Sequence, residues 1–232
     1  MTSSKMKDIF LAKNIYKSYE DGTKHLEVLR GVNLRCNESE IILIMGPSGS
    51  GKTTLLNILS SLDKPDNPDG YIYIKEKKIN YDNIKQINFF RSNQIGILFQ
   101  THYLLEEFTV LENLTIPSTL NNIDHHHNPI ELLNRINLES KANKYPYELS
   151  GGECQRIALL RAIINKPAVV FADEPTGNLD EDNVLNMIKL ISELKDKYSL
   201  SFIIATHDER LCDIADRICY LNDGILKENY ER

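Results

Sequence analysis

The chain has few cysteines, no long apolar run, no excess of basic residues and no low-complexity linker, and each shortage excludes something. Spanning a bilayer takes ~20 consecutive apolar residues, whereas the longest runs here, such as Ile41 to Met45, have the length of a strand. The stretch from Met1 to Asp8 leads into no apolar segment of the roughly 7–15 residues a signal peptide needs. The expectation is a protein made and kept in the cytoplasm. Four scattered cysteines, Cys36, Cys154, Cys212 and Cys219, form no Cys-x-x-Cys pair. Reduced, mostly buried thiols are expected in place of a zinc site or a disulfide framework. Lys and Arg number 27 against 33 Asp and Glu, a formal charge of −6. That balance removes the broad basic surface of a nucleic-acid binder and still permits a local phosphate pocket. His125-His126-His127 has no acidic or cysteine cluster beside it, so a solvated loop is expected there and not a metal site.

What remains is an ordinary globular composition, 41% hydrophobic and 26% charged, in 232 residues. That length suits one large domain or two small ones, burying roughly 70% or more of the unfolded surface. Short apolar strands alternate with helices. Ile41–Met45, Ile95–Phe99, Ala168–Ala172, Phe202–Ala205 and Arg217–Leu221 read as strands, the first of them buried on both faces. Tyr71–Lys75 reads as another after the turn at Asn67-Pro68-Asp69-Gly70, and Asn222-Asp223-Gly224 turns the chain after the last. Thr53 to Leu62 reads as a helix, as does the stretch holding Val184, Met187, Ile188, Ile191 and Leu194. From about Thr101 to Asn165 the character is helical, with Asn128 capping a helix that opens on Pro129. The alternation implies an α/β layered fold with a mainly parallel sheet, into which the helical stretch is inserted.

Four strand ends carry chemistry. Gly46-Pro47-Ser48-Gly49-Ser50-Gly51-Lys52-Thr53 matches G-x-x-x-x-G-K-[ST] between a buried strand and a helix. Glycines let the loop aim backbone N–H groups at phosphate oxygens, and the helix start adds partial positive charge. Lys52 would reach the β- and γ-phosphates, and the Thr53 hydroxyl would bind Mg²⁺. The strand Val169–Ala172 ends in Asp173 and Glu174. If strand geometry continues, the two carboxylates face opposite ways, Asp173 toward Mg²⁺ and Glu174 toward the attacking water, which it would orient and deprotonate. Phe202–Ala205 leads to His207, a γ-phosphate contact, and Gln100 follows its own strand with a neutral amide suited to Mg²⁺ or water. Ligands of open α/β sheets bind where strands end. In Leu149-Ser150-Gly151-Gly152-Glu153, Ser150 and Glu153 form a capping box that opens a helix and exposes N–H groups to an anion. Cys154 lies on the first turn of that helix, a place that can lower a thiol pKa.

With these segments in order, the chain resembles the ATP-binding-cassette (ABC) ATPases over essentially its whole length. Gly46–Thr54 resembles the Walker A loop, Gln100 the Q-loop glutamine and Leu149–Glu153 the family signature, although Cys154 stands where the family usually has a polar residue. Val169–Glu174 resembles Walker B with its catalytic glutamate, Gly177–Asp180 the D-loop and His207 the switch histidine. Tyr19 resembles the aromatic that stacks on adenine.

The resemblance implies a P-loop (RecA-like) core with an antiparallel β subdomain, residues about 1–100 and 166–232, and an inserted α-helical signature subdomain, about 101–165. It implies ATP and Mg²⁺ as ligands. Catalysis would fall to Glu174 and His207, and the metal to Thr53, Gln100 and Asp173. Nucleotide contacts would come from Tyr19, Gly46, Pro47, Ser48, Gly49, Ser50, Gly51, Lys52, Thr53, Thr54, Gln100, Ser150, Gly151, Gly152 and Asp180. Each ATP would lie between the phosphate loop of one copy and Ser150–Gly152 of another, in a homodimer. The run from Ile95 to Asn113 is similar to the lipoprotein-releasing (LolD-type) ATPases, and Pro175–Asp180 is shared with macrolide-exporter and cell-division members as well. That likeness implies two integral-membrane permease subunits (LolC/LolE-like) at the bacterial inner membrane and no nucleic acid. Phe108, Val110 and Leu111 are candidates for a groove taking a permease helix, against the plainer reading as core. The stretch from Lys52 to Leu149 has no room for the coiled coils or zinc modules of DNA-repair members, and a single cassette does not fit the translation members.

Overall fold

A computed structural model describes residues 8–21, 24–120, 123 and 127–228; His125 and His126 lie outside them. The order is β1 (Asp8–Asp21), β2 (Lys24–Asn37), β3 (Ile41–Met45), α1 (Lys52–Leu59), β4 (Tyr71–Ile74), β5 (Lys77–Lys78), α2 (Ile84–Asn93) and β6 (Ile95–Leu98). Then come α3 (Val110–Leu120), α4 (Pro129–Arg135), α5 (Gly151–Ile163), β7 (Val169–Asp173), α6 (Glu181–Tyr198), β8 (Ser201–Ala205), β9 (Arg217–Asn222) and β10 (Ile225–Glu228).

The six-stranded sheet runs β10-β9-β3-β8-β7-β6, parallel except for β10. Its central strands are apolar apart from Ser201 at the start of β8 and Asp173 at the end of β7, because both faces are covered. Side chains alternate between two cores. Ile41, Leu43, Val170, Ala172, Phe202 and Ile204 face α3 to α6. Ile42, Ile44, Val169, Phe171, Ile203 and Ala205 face α1 and the second sheet, β2-β1-β4-β5, which is antiparallel.

Most sequence boundaries hold, and the differences have local causes. The helix after the phosphate loop ends at Leu59 and not at Leu62, since Ser61 takes a left-handed φ of 62°. Asn128 caps α4 as expected, its Oδ1 accepting from the N–H groups of Ile130 and Glu131. Val110 is fully buried and Leu111 packs on the same core, so these two are core residues, while Phe108 stays exposed. His127 packs against Tyr198, the rings tilted with centroids 4.2 Å apart, and is not simply in solvent. The segment from Thr101 to Thr109, expected to be helical, is irregular, and Asn113 organises it. Buried Asn113 accepts from the N–H of Leu105 and donates to the carbonyls of Leu105, Phe108 and Thr109.

Helix α5 lies against the edge strand β6. A Cβ on Gly96 would sit 2.5 Å from the carbonyl oxygen of Ala162, so only glycine permits this approach. Strand propensity alone favours alanine over glycine. Gly96→Ala is nevertheless expected to destabilise the fold by ~1–3 kcal/mol, read by urea unfolding; a variant at least as stable as the parent would contradict the packing. Cys154 lies on the buried face of α5, its Sγ 3.5 Å from the carbonyl oxygen of Pro146. Burial pushes the thiol up to about 11, with help from the charges of Glu106 and Glu153, which outweighs the helix start. Iodoacetamide should leave Cys154 unmodified in the folded protein near neutral pH and label it once the chain is unfolded. Rapid labelling of the native state would contradict that.

Candidate functional site

The ends of β3, β7 and β8 open into one cleft of about 690 Å³. Gly46, Pro47, Ser48, Gly49, Gly51, Lys52, Thr53 and Thr54 wall one side. Tyr19, Val28, Gln100, Asp173, Glu174 and His207 wall the rest. The loop conformation is enforced at Gly51, which caps α1 with a left-handed φ of 97° and leaves 2.8 Å between an added Cβ and Val28. Lys52 is buried, and its Nζ donates to the carbonyls of Gly46 at 2.9 Å and Pro47 at 3.2 Å, curling back over the loop. Ser50 lies behind the lining, its buried hydroxyl without a protein partner.

Thr53 donates to Asp173 Oδ2 at 2.8 Å. The other carboxylate oxygen, Oδ1, is buried with no protein partner. Burial raises the Asp173 pKa, the Thr53 hydrogen bond opposes that, and the charge of Glu174 adds to the rise. An orphaned buried carboxylate oxygen beside a threonine hydroxyl, in a cleft that Gln100 also lines, is a set of hard oxygen donors that fits Mg²⁺.

The two carboxylates do not face opposite ways. The strand ends at Asp173, and Glu174 turns with a φ of 44°, its N–H donating to the Ala205 carbonyl at 2.8 Å. Both therefore reach the same cleft. Glu174 is held from three sides. Its Oε2 accepts from the Thr206 hydroxyl at 3.1 Å and the His207 N–H at 3.3 Å, and Oε1 lies 2.8 Å from His207 Nδ1.

Ser150, Gly151, Gly152 and Asp180 line none of this cleft. They form a second group at the starts of α5 and α6. The capping box is present in both directions: Glu153 N–H to Ser150 Oγ at 3.3 Å, Ser150 N–H to Glu153 Oε2 at 3.0 Å. Gly152 packs on Asn183. Arg156 donates to Asn183 Oδ1 at 2.7 Å, and Asn183 donates to Asp180 at 2.9 Å. Those bonds hold the Asp180 carboxyl below its ordinary pKa.

Several connecting residues have no sequence signal. Gln155 donates to the Phe99 carbonyl at 2.9 Å, and Arg161 to the carbonyls of His102 and Tyr103 at 2.9 and 2.8 Å, so α5 grips the chain around Gln100. Asp208 accepts from Thr176 at 2.9 Å and from Arg210, and its own N–H donates to Thr206. Thr206 and Asp208 flank His207, and that adjacency was the one cue available; the others come from partners far away in sequence.

The pattern of the ABC transporter family matches residues 29–177. A relative from Cytophaga hutchinsonii, the lipoprotein-releasing system ATP-binding protein LolD, is 42% identical over 95% of this chain and 100% of its own. A protein of the same name from Bacteroides thetaiotaomicron is 43% identical over 88% of this chain and 94% of its own. Among solved structures, a dimer of the ATP-binding cassette MJ0796 in a post-hydrolysis state, bound to ADP and Pi, superposes with a TM-score of 0.85 at 35% identity, covering 96% of this chain and 99% of that one. A cleft walled by a phosphate loop and two carboxylates, on a fold shared along nearly its full length with such cassettes, identifies the chain as a member of the ABC transporter family, an ATP-binding, ATP-hydrolysing cassette.

Proposed function

We propose that this chain is the ATP-hydrolysing subunit of an ABC transporter that releases lipoproteins from the bacterial inner membrane. For the chemistry, the carrying observation is the convergence of Lys52, Thr53, Asp173, Glu174 and His207 on one cleft. For the process, it is the 40–43% identity to proteins of the lipoprotein-releasing system.

The reaction is ATP and water to ADP and phosphate. The N–H groups of Ser48–Thr54 at the start of α1 receive the phosphates, and Lys52 exchanges its two carbonyl partners for β- and γ-phosphate oxygens. Thr53, Asp173 and Gln100 would hold Mg²⁺. When bound, that ion neutralises charge developing on the phosphates. Glu174 accepts the proton of the attacking water. Its three hydrogen bonds fix the carboxylate before the water arrives, and His207, exposed beside it, contacts the γ-phosphate. Tyr19 stacks on the base.

Ser150–Gly152 and Asp180 lie off the cleft of their own chain, and this favours their use by a second copy. Two copies, closed head to tail on ATP, would work beneath a pair of LolC/LolE-like permeases on the cytoplasmic face of the inner membrane. Among the described residues no helix is long and apolar enough to cross a membrane, so in this reading the translocation path belongs to the permeases. The helical stretch, about 101–165, would act as the signature subdomain and present exposed Phe108 to them.

Glu174→Gln should abolish turnover, by a factor of roughly a hundred or more, while ATP still binds and favours the dimer; turnover near the parent rate would contradict the assignment of the base. With co-purified membrane partners in vesicles, ATP should drive lipoprotein onto a soluble carrier. Hydrolysis without release would favour a macrolide-exporter or cell-division role.

A further inference from the structure

Tyr19, like Val28 of β2, belongs to the antiparallel sheet and not to the sheet that carries the phosphate loop. A stacking platform is useful only at a fixed distance from the phosphates. The pairing of β1 with β2 is a poor ruler for that distance, since its register shifts at Ala12–Ile15, Ile15–Lys17 and Lys17–Ser18.

The loop that leaves α1 supplies a better one. Lys17 is buried, and its Nζ lies 3.0 Å from Asp63 Oδ2 and 3.2 Å from Asp66 Oδ1, and donates to the Lys64 carbonyl at 3.1 Å. The Tyr19 hydroxyl donates to Asp63 Oδ2 at 3.3 Å. The Lys17 ammonium also sits over the Tyr19 ring, 5.3 Å from its centroid. Asp66 Oδ2 accepts from both the N–H and the hydroxyl of Ser18, at 2.7 and 3.0 Å, and the Asp66 N–H donates to the Tyr16 carbonyl. Burial alone would lower the Lys17 pKa, but its bonds to the two aspartates outweigh that and raise it; both aspartates are held below their ordinary values despite burial. The cluster stays fully charged at neutral pH. Helix α1 starts at Lys52 and ends just before this cluster, so one short helix links the phosphate end of the cleft to the residues that grip Tyr19.

We infer that Lys17 and Asp63 are positioning residues for the nucleobase: they hold the Tyr19 ring at a set place from the phosphate loop, and the Lys17 ammonium covers one ring face and leaves the other for the base. A cation on one face of an aromatic and a base on the other are compatible uses of the same π-system. The inference rests on the nucleotide reading above. A loop staple with no such role would matter for stability and treat every ligand of the phosphate loop alike.

The test compares ATP with inorganic tripolyphosphate, which has the phosphates and no base, on the full chain. Lys17→Met and Asp63→Asn should each weaken ATP binding about three- to tenfold and leave tripolyphosphate binding unchanged. Tyr19→Phe keeps the ring and loses only the bond to Asp63, so it should lose less than Lys17→Met. Equal weakening of both ligands, or of neither, overturns the inference. Should Lys17→Met not fold, Asp63→Asn and Tyr19→Phe decide the matter by the same comparison. If the parent chain itself binds no ATP, the nucleotide reading fails and this one with it. If the parent binds and the variants match it, only the positioning role fails.

Discussion

β3, β8 and β7 run parallel with nearly every side chain buried, so charged groups are confined to their ends, where Asp173 closes β7. Register then decides where those groups meet. Ile44 lies opposite Ala205, and Ala205 opposite Asp173, so the three strands stop level with one another. The phosphate loop, the carboxylate pair and His207 are the residues that come next. Leu98 pairs with Ala172 one strand further out and brings Gln100 to the same edge. A shift of one residue in any of these ladders would exchange buried and exposed faces and scatter the cleft.

The same edge is where the helical half takes hold. Among the described residues, the side chains of Gln155 and Arg161 bond to main-chain carbonyls, those of Phe99, His102 and Tyr103. Arg161 is desolvated enough that burial lowers its pKa, so losing those carbonyl partners would leave a buried cation unsatisfied. A displacement of α5 is therefore passed to the chain around Gln100 with little slack. On the other flank, Asp208 links Thr176, in the segment after Glu174, to Thr206, which itself holds Glu174. Thr176, Asp208 and Thr206 thus form one chain of bonds that ends on the Glu174 carboxylate.

The central sheet and the cleft were legible from the sequence because their signals are local. Apolar runs mark strands buried on both faces, and the phosphate loop, the Asp173-Glu174 pair and the Ser150–Glu153 capping box each lie within a few residues. β1 and β2 were not legible from pattern, since bulges interrupt the alternation at Ala12–Ile15 and beyond. α2 buries only Phe90 and shows no apolar stripe. The turn at Glu174 was missed because a backbone bond to Ala205, thirty-odd residues away in sequence, produces it. The lysine–aspartate cluster under Tyr19 was missed for the same reason: Lys17 and Asp63 are 46 residues apart. Cys154 was open to two readings until its depth was known, since a helix start and burial push a thiol in opposite directions.

That Ser150–Gly152 and Asp180 stand off their own cleft favours the proposed site completed by a second copy. The most direct measurement is the ATPase rate per chain as protein concentration is varied. The expected result is a rate per chain that climbs as pairs form and then levels off, and that Ser150→Arg suppresses while ATP still binds. A rate per chain that stays constant on dilution and is untouched by Ser150→Arg would contradict a site completed by two chains.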